Sequence, residues 1–267
     1  MNMFLIEPEQ LAKEGIIPGR VIVDLSRPDV HAAGHIAGAQ HLDYATIVRV
    51  QPPVMGLLPD EPKLSAVLSR LGITPQSHVI AYDDEGGGKA SRFLWTLAEI
   101  GHTHWSLLNG GLHAWKGGGL PLTSEQTVAT PSNYVARYTG AVAADRPYIL
   151  AHLKDASTVL VDARSPGEYN GSDVRAERGG HIPGAVNFDW QLAMDRTKAL
   201  RLHSADDLRA KLAEFGITPD KEAITYCHTH HRSALTFVML KALGFERVRG
   251  YPGSWSDWGN QPETPIE

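Results

Sequence analysis

A single cysteine, Cys227, opens the run Cys227-His228-Thr229-His230-His231-Arg232-Ser233. A thiol followed by three histidines and an arginine suits nucleophilic attack on an anion, because the thiolate is the reactive form and positive potential stabilises it. The residues before it, Ala223-Ile224-Thr225-Tyr226, form an apolar strand-like run, and those after it, Ala234 to Leu240, follow a helical pattern. Cys227 is therefore expected on a polar loop between a strand and a helix N-terminus. There the first amides of the helix lack partners within it and carry the positive end of its dipole. With no second cysteine in 267 residues, Cys227 has no resolving thiol and no disulfide partner in its own chain. The competing reading, a buried structural cysteine, fits poorly with so cationic a loop.

The other loop residues have more than one use. Arg232 offers a planar fork either to the oxygens of an anionic substrate or to a carboxylate that orders the loop. His228, His230 and His231 are either solvated or carry partial positive charge near neutral pH. A zinc site with Cys227 is the third option, but closed zinc sites draw on two separated pairs of ligands, and no second pair is evident. No metal and no cofactor is expected. The loop amides from His228 to Ser233 are the natural cradle for an anion held on Cys227.

The elements that must position this loop occur twice. Val21-Ile22-Val23-Asp24 matches Val159-Leu160-Val161-Asp162, and Gly34-His35-Ile36-Ala37-Gly38-Ala39 matches Gly180-His181-Ile182-Pro183-Gly184-Ala185. Leu71 to Pro75 answers Phe215 to Pro219, His78 to Tyr82 answers Glu222 to Tyr226, and Gly110 to Trp115 answers Gly250 to Trp255. Constant order and spacing indicate a duplicated domain. Strands are expected near 21–24, 78–82, 105–108, 159–162, 222–226 and 246–249. Helices are expected over Arg92 to Ile100, Ser233 to Leu243 and Ser204 to Phe215, the last capped by Ser204 and Asp207. Strands alternating with helices predict an α/β fold with parallel sheets flanked by helices, and in such sheets the site lies beyond the carboxyl ends of the strands. The boundaries expected are 1–122 and 147–267. Residues 123–146, rich in Thr, Ser, Ala and Pro, form the linker, with Tyr134, Val135 and Tyr138 packed on a domain surface.

Because His35 and His181 recur in both halves, as do Asp24 and Asp162, they are read as structural. Arg164 has Ser26 at its counterpart position and is placed facing the cleft. Trp190 is a core residue or a wall of the cleft. In the first half, Asp83 takes the register of Cys227 and leads into Asp84-Glu85-Gly86-Gly87-Gly88-Lys89. That run is no phosphate loop, since Ala90 stands where a metal-binding Ser or Thr is required.

Composition narrows the partners. The net charge is −5 and hydrophobic residues make up 42%, which suits a globular chain. There is no basic block of the nucleic-acid-binding kind, no apolar run of membrane-spanning length and no secretory signal. One cysteine argues against a disulfide-dense exported protein. The expectation is a cytoplasmic monomer that acts on a small anion, with no nucleic acid and no membrane partner.

The paired halves, the Val161-Asp162-Ala163-Arg164-Ser165-Pro166 turn, the Gly180 to Ala185 run and Cys227 after its strand together resemble a tandem-domain rhodanese of bacterial type. The resemblance covers essentially the whole chain. It implies two rhodanese-like domains, an inactive N-terminal one and a catalytic C-terminal one. It also implies transfer of a sulfane sulfur from thiosulfate to cyanide or a thiol. Cys227 would carry the sulfur as a persulfide in ping-pong catalysis. Arg232, His228, Thr229, His230 and His231 would bind the donor. Two features depart from the mammalian type. The loop composition differs, and Glu168 stands where that type carries a substrate-binding arginine, which leaves the donor open.

Other readings stay in play: a mercaptopyruvate-type sulfurtransferase, delivery of sulfur to a protein acceptor, a cysteine-dependent phosphatase, and a non-enzymatic redox or metal-binding module. Related phosphatases space Cys and Arg by five residues. Here four residues separate Cys227 from Arg232, giving a tighter ring of amides that suits a sulfur atom better than a phosphoryl group.

Overall fold

The computed structural model describes residues 3–267. They pack as two compact units. One holds the chain up to Ile47 together with Pro59–Thr139 and Met194–Leu202, and the other holds Val48–Leu58, Gly140–Ala193 and His203–Glu267.

The first unit is built on a parallel sheet ordered Leu5–Ile6, Trp105–Leu108, His78–Tyr82, Arg20–Asp24, Ala39–His41. The second is built on a parallel sheet ordered Val248–Gly250, Glu222–Tyr226, Thr158–Asp162, Val186–Asn187. The middle strands are nearly continuous apolar runs, as strands covered on both faces must be. In each sheet the strand leading to the loop of interest pairs along its length with the strand that ends in the repeated aspartate: Asp24 opposite Tyr82, Asp162 opposite Tyr226. The two cores repeat as well. Ile22, Ile80 and Trp115 are buried in one, and Leu160, Ile224 and Trp255 in the other. Each such side chain contributes roughly 1.5–3 kcal/mol when fully buried.

The expected helices are present with shifted ends. Ser204 caps Ala205–Glu214, its side chain accepting the amide of Asp207. The helix expected from Arg92 begins at Gly88 and runs to Glu99, and the one expected from Ser233 spans Arg232–Ala242. The last strand lies at Val248–Gly250, two residues later than expected at its start. Residues 124–142 contain neither helix nor strand, yet much of this stretch is held down. Tyr134 and Ala136 donate their amides to Ser69 and Ser65 at 2.9 and 3.0 Å, and the Tyr138 hydroxyl donates to the Pro59 carbonyl at 2.6 Å. Val135 is the exception. It is 62% exposed, because its neighbours on either side point inward and the extended chain alternates.

Candidate active site

Cys227 follows directly on the Glu222–Tyr226 strand and is wholly buried. The loop ahead of the Arg232–Ala242 helix turns through His230, whose φ of 53° is left-handed. That turn brings later amides back over the sulfur. Burial pushes the Cys227 thiol up, but the Arg232 charge, the Ser233 hydroxyl and the amides of Ser233 and Thr229 outweigh it and hold the pKa below its ordinary value. The Cys227 sulfur therefore sits in a small ring of donors that favours its thiolate, the condition for a nucleophilic cysteine.

Several contacts that the sequence did not announce brace this ring. Ser254 is buried, with φ of 48°. Its Oγ accepts the amides of Cys227 and His230 at 3.2 and 3.1 Å and donates to the Tyr251 carbonyl at 2.7 Å. The next two amides, from Trp255 and Ser256, donate to the carbonyls of Cys227 and His228, each at 3.0 Å. The hairpin of Arg49–Gln51 and Val54–Leu57 belongs to the same compact unit. Met55 donates its amide to Ser256 Oγ at 2.9 Å. Gly56, at φ 76°, lies so close to Thr229 that a Cβ there would stand 2.8 Å from the Thr229 carbonyl carbon and nearer still to its oxygen. One signal for Ser254 was available: at the register of Trp115 and Trp255 it replaces Ala114.

Arg232 is engaged by Glu168. Its two terminal nitrogens donate to the two carboxylate oxygens at 2.5 and 2.8 Å. Glu168 is 1% exposed and closes a capping box with Ser165 at the start of a short helix, Pro166–Tyr169. Burial works against ionising this carboxyl, but Arg232, Arg175 and the Ser165 amide hold it at about 2. Of the two uses left open for Arg232, this geometry displays the carboxylate pair.

The histidines differ from one another. His228 is half-buried. Burial is the main cause of a pKa below its ordinary value, with Arg232 adding to it and Glu168 opposing, which disfavours the partial positive charge that was one of the uses open to it. His230 is fully buried, with Nδ1 2.8 Å from Ser233 Oγ. His231 lies beside Trp190, ring centroids 6.2 Å apart, which puts Trp190 next to the loop.

Arg164 corrects the expectation that it faces the cleft. It is 2% exposed, grips Asp162 with Nε at 2.9 Å and a terminal nitrogen at 2.6 Å, donates to the Gly180 carbonyl at 2.8 Å and stacks over Trp255 at 4.3 Å. The turn after the strand buries this guanidinium because Asp162 neutralises it there. His35 and His181 sit on main-chain carbonyls, at 2.9 and 3.0 Å through Nδ1.

In the first unit Asp83 occupies the place of the thiol. Its carboxylate accepts the amides of Glu85, Gly87 and Ala90 at 3.0, 2.8 and 3.0 Å. Burial and the nearby Glu85 push its pKa up, against those three amides. The anion cradle of this half is thus filled by a side chain of the chain itself. Outside it, Asp84 and Glu85 are met by Lys89 at 3.5 and 3.3 Å.

Comparison with known proteins finds the same domain twice. Residues 7–117 and 146–261 each match the rhodanese-like domain. A protein named thiosulfate sulfurtransferase from Azotobacter vinelandii is 45% identical over 98% of this chain and 96% of its own length. One of the same name from Pseudomonas aeruginosa is 44% identical with the same coverage. A sulfur carrier protein from Thermus thermophilus is 35% identical over 89% of this chain and 86% of its own. Among solved structures, an anaerobic ergothioneine biosynthesis enzyme from Chlorobium limicola superposes with a TM-score of 0.85 at 22% identity, over 98% of this chain and 69% of that one. That likeness speaks for the fold alone.

Proposed function

Because the chain belongs to the rhodanese family, with one rhodanese-like domain in each half, we propose that it transfers the outer sulfur of thiosulfate through a persulfide on Cys227. It is a sulfurtransferase. The Cys227 thiolate attacks the sulfane sulfur, a new S–S bond forms, and sulfite leaves with the electron pair of the bond that breaks. The persulfide then yields its outer sulfur to cyanide or a thiolate, and Cys227 returns as thiolate. Two half-reactions on one nucleophile make the kinetics ping-pong.

The observation that carries this reading is the buried thiol whose pKa is held down by Arg232, the Ser233 hydroxyl and the amides of Thr229 and Ser233. A ring of that size stabilises an anion on Sγ or on one sulfur beyond it, and donors already aimed at the charge need no reorganisation during the reaction. In this reading residues 147–267 are catalytic, except for Met194–Leu202, which packs in the other unit, and with the Val48–Leu58 hairpin added to them. The rest of residues 1–122 form a silent domain, since Asp83 both replaces the thiol and fills the cradle. His228, Thr229 and His231 line the approach of the donor, Arg232 supplies its charge to the thiolate from its pair with Glu168, and His230 supports the loop from within. The relative named as a sulfur carrier favours a second acceptor class, a thiol on a partner protein. Lone Cys227 is consistent with a reducing, cytoplasmic setting, and no described helix is long and apolar enough to cross a membrane.

The test is mass spectrometry of the full chain before and after thiosulfate, with sulfite measured in the same tube. The wild type should gain one sulfur at Cys227 and release sulfite, and Cys227→Ser should do neither. Turnover by the Ser variant above background would end the covalent mechanism.

A further inference from the structure

The Arg232 fork beside Cys227 is suited to gripping a sulfonate, and it is already held on both arms by Glu168. Glu168 is no accidental surface partner. It is buried, set by its capping box with Ser165 at 3.2–3.3 Å, and has a second cation, Arg175, at 3.7 Å. Arg232 in turn is the first of the influences that lower the Cys227 pKa. A long arginine side chain left free would lose that placement, because its rotamer freedom is large and water competes for its donors.

We propose that Glu168 is the positioning residue of sulfur transfer: by occupying both arms of Arg232 it fixes the guanidinium charge on the Cys227 side of the loop and withholds the fork from the donor. The donor's sulfonate is then received by main-chain amides, and the arginine serves the thiolate and the persulfide. The arrangement favours a reactive sulfur at the expense of donor affinity, since a carboxylate beside the approach also repels an anion. This inference rests on the sulfurtransferase reading above.

Glu168→Gln separates the two effects. Glutamine still serves the capping box, so the helix start is kept, while the charge and the two-armed grip are lost. Three quantities are read on the full chain: the pH midpoint of Cys227 alkylation, and kcat and KM for thiosulfate. The alkylation midpoint should rise by about one pH unit, the scale of a cation displaced from beside a titrating group. At neutral pH kcat should fall about tenfold, as when one preorganised donor is lost. KM should fall about threefold, because one negative charge has left the approach and the fork is free. A residue that only supported the fold would lower kcat with KM unchanged or raised, and the midpoint would stay put. That pattern, or a midpoint that falls, overturns the proposal. Should the Gln variant not fold, Glu168→Asp is read in the same way. It keeps the charge but spans the fork poorly, so the midpoint and kcat should move in the same directions by less and KM should stay near wild type. An unchanged midpoint in a folded Asp variant overturns the proposal equally. If wild type releases no sulfite from thiosulfate, it is the sulfurtransferase reading that fails, and the alkylation midpoints still report on Glu168.

Discussion

Gly56→Ala is the sharpest test of how the loop is held, because Gly56 is remote in sequence from Cys227 and contributes no chemistry. At φ 76° an alanine is strained whatever surrounds it, by roughly 1–2 kcal/mol. The new methyl would also meet the Thr229 carbonyl group, its carbon at 2.8 Å, and the Thr229 Cβ at 2.9 Å. Backbone and a branched side chain cannot swing away, so the hairpin or the loop must shift, for about 1–3 kcal/mol more. The sum is a destabilisation of about 2–5 kcal/mol. The loop is tied at its other edge by Ser254 and the helix start, so part of the shift falls on Thr229, whose amide points at the sulfur. A displacement approaching 1 Å in a reacting group lowers turnover about 10²-fold, and a partial one should lower sulfite release by about 10- to 10²-fold. Gly216→Ala is the control. It has φ 69° and nothing within 4 Å of the new Cβ, so it should show only the backbone strain and keep its turnover. Urea unfolding and sulfite release on the two variants and the wild type complete the experiment. If Gly56→Ala and Gly216→Ala lose the same stability and both keep full turnover, the hairpin does not press on the loop, and the account of how Thr229 is held is wrong.

Inserting one residue between Cys227 and Arg232 should widen the ring of amides and lower sulfur transfer by about 10²-fold or more. Sulfite release retained in full would shift the credit from loop geometry to the side chains of His228, His230 and His231. The Glu168–Arg232 pair should also stabilise the fold in a pH-dependent way. The Glu168 carboxyl is held at about 2 in the folded chain, below its unfolded value near 4.3. Its stabilisation is therefore fully present above the unfolded value and is lost as pH falls through the folded one. Urea midpoints of wild type and Glu168→Gln should differ at pH 6 and converge towards pH 2, and a gap that does not narrow would deny the linkage. Asp83→Ala should leave three buried amides without their acceptor and destabilise the first unit by about 2–4 kcal/mol, since unmet buried donors are expensive. Sulfite release per folded molecule should be unchanged. An equally stable variant would mean that the cradle of that half is not filled by the carboxylate.

The duplication, the α/β class and the place of Cys227 between a strand and a helix were all legible in the chain. Each depends on local pattern: apolar runs of strand length, repeated turns, and a lone thiol between a strand and a helix. Ser204 and Asp207 announced their helix start for the same reason, because a cap is made by residues three apart. Element ends were less certain. The Gly88–Glu99 helix begins ahead of the apolar pattern because the glycines at its start carry no hydrophobic signal, yet the amide of Gly87, its cap residue, is needed around Asp83. What the sequence could not decide was partnership across distance. Arg164 and Arg232 are both arginines near polar turns, and nothing in their types says that the first is sealed against Asp162 and Trp255 while the second spans to Glu168. Burial sets those pairs, because a charge taken out of water must find its counter-charge within reach, and that reach is created only when the strands come side by side. Ser254 and Gly56 make the same point for the loop. Their contacts join Cys227 to a residue 27 positions away and Thr229 to one 173 positions away. Only folding turns an ordinary serine and a hairpin glycine into the frame that holds the loop over a buried thiol.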